Sequence, residues 1–237
     1  MIICHNKKFI FFHVPKAAGS SIKNYLKGFL KFDDVNCQLD GADINVKEAR
    51  VGGAPAYLRY MRAVHGIHKH VTVKEIRDQM GKNYFDQFFS FAFVRNPYAR
   101  AYSAYRFTLM WDKKLRPDSK RYQEVKDMNF EEWLSSSYVV EYKMLQTKPQ
   151  AKWLPRPDMV SYVGKTEKFD DSMYEILYRI TNDEDKTTKM VERWGAVKNN
   201  QSAGVDEWKN MSGEAMDQIY KLYKQDFELF DYSRDIT

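Results

Sequence analysis

The sequence predicts an α/β protein of a single domain, residues 1–237, with a central parallel sheet flanked by helices and a P-loop-like strand-loop-helix phosphate site. Three observations lead there. Residues 9–22, FIFFHVPKAAGSSI, run from an apolar strand through Pro15 into a short Lys/Ala/Gly/Ser loop that opens a helix. Residues 88–94, FFSFAFV, form a continuous apolar, aromatic-rich run of the kind buried on both faces of a parallel sheet. A chain of 237 residues, 43% hydrophobic and 15% aromatic, has enough apolar surface for one sizeable core.

The elements follow in chain order. After the loop a helix is expected over 20–30, with Ile22, Tyr25, Leu26 and Phe29 on one face. Thr72-Val73-Lys74-Glu75 has capping-box spacing and starts a helix running to about Met80, where Gly81 stops it. At the end of the 88–94 strand, Asn96 suits a helix cap and Pro97 the first helical position, where its missing N–H costs nothing. Asn129 and Glu132 repeat the cap signal ahead of Trp133 and Leu134. Residues 159–163 read as another buried strand, ended by Gly164. Helical periodicity marks 171–181 and 212–230, the latter through Met216, Ile219, Tyr220, Tyr223 and Phe227. Residues 33–63 and 112–127 carry no regular pattern, and no internal repeat or low-complexity tract is present.

The loop after the first strand has the makings of an anion seat. Backbone N–H groups at the start of a helix converge on one point, the helix dipole adds partial positive charge, and Gly19 permits close approach. Lys16 adds a full charge. The common nucleotide loop, GxxxxGK[ST], places its lysine after a second glycine, whereas here Lys16 precedes the single glycine, which disfavours an ATP or GTP site of that type. A tight turn with a solvated lysine is the plainer alternative. The second motif is VRNPYARAYS, residues 94–103. Arg95 falls at the carboxyl end of its strand, where open α/β sheets bind ligands, and Ser103 lies two turns into the following helix. Both can address one anion; alternatively Arg95 ties the strand end to a carboxylate.

In this order the two segments resemble the motifs of sulfotransferases that use 3′-phosphoadenosine 5′-phosphosulfate (PAPS), and most resemble the branch with the carbohydrate and heparan sulfate 2-O-sulfotransferases. The likeness continues through KHVTVKEIRDQMG (69–81), YVGKTEKFDD (162–171) and YKQDFELFDY (223–232). It implies that Lys16, Ala17, Ala18, Gly19, Ser20 and Ser21 hold the 5′-phosphosulfate, and that Arg95 and Ser103 hold the 3′-phosphate. The product nucleotide is then adenosine 3′,5′-bisphosphate. HKHVT, residues 68–72, resembles the HGHVS-like segment bearing the catalytic histidine, which places His70 as general base; Lys69 replaces a glycine there. An imidazole near its ordinary pKa of about 6.5 suits that task. Lys16 would also assist the leaving phosphate. His68 would orient the base or meet the acceptor, His65 is expected to be structural, and Lys198 in KNNQS (198–202) either closes over the 3′-phosphate or is solvated. The implied acceptor is a hydroxyl on a carbohydrate or glycosylated small molecule, with another small alcohol as alternative, and the irregular segments are where its specificity is expected. A nucleoside or nucleotide kinase and a non-enzymatic nucleotide-binding module are the readings from other classes.

Charge and cysteine usage narrow the field. A formal net charge of +6 attracts anionic ligands, but no recognition-helix or stacking motif suggests nucleic-acid binding. Cys4 and Cys37 have neither CxxC spacing nor a His/Cys cluster beside them, so free thiols and no metal are expected. No apolar stretch approaches the roughly 20 residues that span a bilayer. A cytoplasmic enzyme, or a soluble chain lacking a membrane anchor, is the expectation.

Overall fold

The computed structural model describes residues 1–30, 34–36, 68–115, 117–195 and 207–235. Strands β1 (Ile2–Cys4) and β2 (Phe9–Phe12) lead to helix α1 (Gly19–Leu26), a 3-10 turn at Lys27–Phe29 and the short strand β3 (Val35–Asn36). Helices α2 (Val73–Met80) and α3 (Lys82–Phe85) precede strand β4 (Phe89–Val94), which feeds the long helix α4 (Pro97–Leu115). Then come α5 (Lys120–Val125), α6 (Phe130–Ser135), α7 (Ser137–Val140), strand β5 (Tyr162–Lys165), α8 (Phe169–Thr181), α9 (Glu184–Gly195) and α10 (Gly213–Leu229).

The class is α/β, as the residue pattern predicts, and the sheet order is β3-β1-β2-β4-β5. The strands bearing the two motifs are parallel: β2 pairs with β4 and β4 with β5. The rest of the sheet is antiparallel, because β1 joins β2 through a short turn and β3 returns alongside β1. Two compact units are present. The first contains the sheet with α1, α2, α3, α8 and α9; the second contains α4–α7 and α10. The chain changes unit at 14/15, 17/18, 94/95 and 152/153, and once more between α9 and α10.

In the first unit β1 and β2 are buried throughout, and β4 is buried from Ser90 to Val94, which explains their unbroken apolar character. Phe11 stacks on Phe91, and Phe93 meets Phe169 of α8 at a tilt of 44°. Helix α8 buries Ser172, Met173, Ile176, Leu177 and Ile180, a helical stripe that packs on β5. The last strand begins at Tyr162 rather than at 159, because 157–159 form a 3-10 turn. Gly164 does not end it. Gly164 pairs with Phe93 across the ladder, and a Cβ there would stand 2.8 Å from that ring, so glycine lets the phenylalanine lie over the strand.

In the second unit Trp133, Leu134, Val125, Val139, Tyr98, Ile219 and Phe227 form the core. Both expected caps are in place: Asn129 accepts from the backbone N–H groups of Glu131 and Glu132 while Glu132 reaches back, and Asn96 accepts from Tyr98 N–H. The charge-dense 112–127 segment is more ordered than expected. It ends α4 and forms α5, because Ser119 caps that helix and the buried Asp112 carboxylate takes the Arg121 fork. Helix α10 departs from helical geometry at Tyr223, where the Leu222 carbonyl accepts from the Tyr142 hydroxyl at 2.6 Å.

Candidate active site

The Lys16 loop follows directly on β2. Lys16 has φ of 67° and Ala18 φ of 59° with ψ of 17°, both left-handed, a conformation that costs an L-residue about 1–2 kcal/mol. Two such residues within three make a turn sharp enough to start α1 at Gly19. No side chain caps that helix; its first closed bond runs from Ile22 N–H to the Ala18 carbonyl at 3.0 Å. The N–H groups of Gly19, Ser20 and Ser21 therefore head an uncapped turn, with the exposed Ser20 and half-buried Ser21 hydroxyls beside them. The open turn offers backbone N–H and serine O–H donors, which suits an oxyanion. The glycine itself serves packing: a Cβ at Gly19 would overlap the ring of His13, a buried residue at the end of β2.

His13 also meets His70. The two rings lie 4.6 Å apart between centroids, and His70 Nδ1 is 3.1 Å from the His13 carbonyl. A carbonyl only accepts, so Nδ1 carries the hydrogen and Nε2 keeps its lone pair, the tautomer a general base requires. The residue is held from three sides. Its carbonyl accepts from the Trp153 indole at 2.9 Å, its N–H donates to His68 Nδ1 at 3.2 Å, and the Thr72–Glu75 capping box starts α2 two residues later. Burial pushes the His70 pKa down to about 4, against the opposing pull of the His13 carbonyl. This corrects the expectation of a pKa near 6.5. His68 thus supports the backbone of His70, while His65, Cys37 and Lys198 lie outside the described residues.

In the second unit Arg95 is clamped through its backbone: its N–H donates to Gln150 Oε1 at 2.9 Å, and its carbonyl accepts from Gln150 Nε2 at 2.8 Å. Gln150 is itself held by Asp226, whose carboxylate accepts from the Gln150 and Ala151 N–H groups at 2.8 and 2.9 Å. Asp226 is fully buried, which pushes its carboxyl pKa up, opposed by the positive charge of Arg100 and by these hydrogen bonds. Arg100, five residues after Arg95 on α4, is buried as well; its guanidinium donates to the carbonyls of Pro15 at 3.0 Å, Gln146 at 3.3 Å and Lys148 at 2.6 Å. The Lys16 ammonium lies over the Phe107 ring at 4.0 Å, one turn along α4 from Ser103 on the same face.

The structure thus brings Lys16 to the face of α4 that bears Ser103, and brings Gly19 and His70 together through His13. Sequence reasoning passed over His13, Arg100, Gln150, Trp153 and Asp226. Arg100 is legible as an arginine between alanines within the motif; the other four carry no local signal, since their hydrogen-bond partners are 50 or more residues away. Among the described residues no group of three or more His, Cys, Asp or Glu side chains is placed to hold a metal ion, and no helix is long and apolar enough to cross a membrane. Cys4 is a buried free thiol whose pKa burial raises to about 11.

The first unit thus holds a mixed sheet, the uncapped start of α1 and a histidine whose Nδ1 faces a carbonyl, and the second holds Arg95 after β4 and Lys16 beside Phe107. In comparison with family models, the model of the Sulfotransferase family matches residues 1–233, and the chain belongs to that family. The protein is a sulfotransferase. No curated protein and no solved structure matches the chain.

Proposed function

We propose that this sulfotransferase moves the sulfonate of PAPS to a hydroxyl on a carbohydrate or a glycosylated small molecule, with 1–237 acting as one catalytic domain. The observation that carries the catalytic part is the tautomer of His70: with Nδ1–H committed to the His13 carbonyl, Nε2 is left to take a proton from an alcohol. The uncapped N–H groups of Gly19, Ser20 and Ser21 with their two hydroxyls in one unit, and the charges of Lys16 and Arg95 in the other, are each of the kind that binds phosphate and sulfonate oxygens. When bound, PAPS supplies the activated sulfonate and a phosphate leaving group.

Within this reading Lys16, Ala17, Ala18, Gly19, Ser20 and Ser21 bind the 5′ end, and the Lys16 ammonium offsets charge that grows on the departing oxygen. Arg95 and Ser103 bind the 3′-phosphate. His70 accepts the acceptor proton at Nε2. The resemblance of HKHVT to the glycan enzymes supports a carbohydrate acceptor, and the free thiol of Cys4 suits a cytoplasmic setting. The test is incubation with sulfur-labelled PAPS and a panel of glycans and alcohols, followed by product identification; no transfer to any hydroxyl would end this reading. Calorimetry checks the nucleotide half. Arg95→Ala should weaken adenosine 3′,5′-bisphosphate binding about ten- to a hundredfold and Ser103→Ala less, because a charged fork is lost in one and a neutral hydroxyl in the other.

A further inference from the structure

We propose that Arg100 is a positioning residue for Lys16: by bonding the Pro15 carbonyl it fixes the peptide plane from which the Lys16 side chain departs. The significance of that position rests on the function proposed above, whereas the coupling of Arg100 to Lys16 stands on geometry. The Pro15 carbonyl belongs to the peptide group whose nitrogen is that of Lys16, so the 3.0 Å bond from Arg100 Nε restrains the left-handed φ of 67° at Lys16. A left-handed lysine persists only where its surroundings hold it there. The remaining bonds of the guanidinium tie Gln146 and Lys148 to the same point, so one side chain anchors the loop and the 145–148 segment to α4. Two turns further along that helix, Phe107 receives the Lys16 ammonium at 4.0 Å. Arg100 sets where Lys16 leaves the backbone, and Phe107 where it ends.

Arg100 is 1% exposed, each hydrogen bond described for its guanidinium goes to a backbone carbonyl, and its charge also opposes the burial of the Asp226 carboxyl, so the test keeps the charge and changes only the shape of the donor. A lysine cannot reproduce the reach, because its single ammonium is a point donor where arginine is a planar fork.

The test first reads Lys16 without any ligand. In protein whose lysines are reductively methylated with carbon-13, the Lys16 methyl signal, assigned by its loss in Lys16→Arg, should lie upfield through the Phe107 ring current and return downfield in Phe107→Leu. Arg100→Lys, shown folded by circular dichroism, should move it to the position of solvated lysines. The second reading is calorimetric: the affinity advantage of adenosine 3′,5′-bisphosphate over adenosine 3′-monophosphate should fall about tenfold in Arg100→Lys, while its advantage over adenosine 5′-monophosphate holds. A folded Arg100→Lys with the Lys16 signal unmoved overturns the proposal. If that variant does not fold, Arg100→Ala is read with and without methylguanidinium: return of the upfield signal on addition supports the proposal, and absence of any return, folded or not, overturns it. A wild-type protein that binds the bisphosphate no better than either monophosphate sinks the nucleotide reading instead, and the ligand-free signal then decides the role of Arg100 alone.

Discussion

Burial decides what His70 can do. With its pKa pushed down to about 4 by burial, the imidazole is neutral from pH 8 to about pH 5.5, so turnover should stay level over that range and show no fall near 6.5. Its folded pKa lies below its unfolded value of about 6.5, so the unfolded chain binds the proton first. The contribution to stability is therefore complete above about pH 6.5 and is lost as pH falls toward 4, on the order of 3 kcal/mol at most. Urea unfolding from pH 7 to 4.5 should show that loss, and His70→Phe should flatten it. In single-turnover assays at saturating PAPS, His70→Ala should lose roughly 10²–10⁴-fold in rate with near-normal nucleotide binding, and His68→Ala less; equal binding and equal rate in both would remove the base assignment. Gly19 and Ala18 make an instructive pair. Gly19→Ala puts a methyl into the His13 ring and should destabilise by about 1–3 kcal/mol, whereas Ala18→Gly relieves a left-handed residue and should raise the melting temperature.

At the level of elements, helix starts are where local chemistry and the site meet. Thr72 and Glu75 satisfy each other across the first turn of α2, with Glu75 N–H donating to Thr72 Oγ1 at 3.2 Å and Thr72 N–H to Glu75 Oε2 at 2.7 Å. Thr72→Ala should cost about 1 kcal/mol in urea unfolding. Because the cap stands two residues after His70, the rate should fall as well; an unchanged rate would show that Trp153 and His68 hold the histidine unaided. Helix α1 is the contrast. It starts without a side-chain cap, and the donors so left are those assigned to the phosphosulfate.

For the whole molecule, ligand linkage is the simplest measure of the proposed site. A nucleotide that binds only the folded protein raises stability by about 2.7 kcal/mol at a hundred times its dissociation constant. Adenosine 3′,5′-bisphosphate should therefore raise the melting temperature well above what equal concentrations of AMP or ADP achieve, since only it offers a phosphate to both Arg95 and the Lys16 loop. A shift no larger than that with AMP would remove the basis for the 3′-phosphate assignment.

The sequence by itself determined the features that depend on neighbours along the chain: the caps at Thr72, Asn96 and Asn129, the buried strands around Phe11 and Phe91, and the loop that ends at Gly19. Capping, turn geometry and strand burial act over a few residues, so composition and spacing reveal them, and the Sulfotransferase family followed from the two motifs they frame. Elements with weak periodicity, such as the start of β5 and the whole of β1, α5 and α9, have no local signal strong enough to mark them. Tertiary structure alone decided the contacts between distant segments. Arg100 reaches Pro15 across 85 residues, His70 reaches the His13 carbonyl across 57, and Asp226 holds Gln150 across 76. Each of these hydrogen bonds uses a backbone group on one side, which every residue carries alike apart from proline's missing N–H, so no residue type announces the partner. The low pKa of His70 belongs with them, because desolvation is a property of the packed surroundings and not of the histidine.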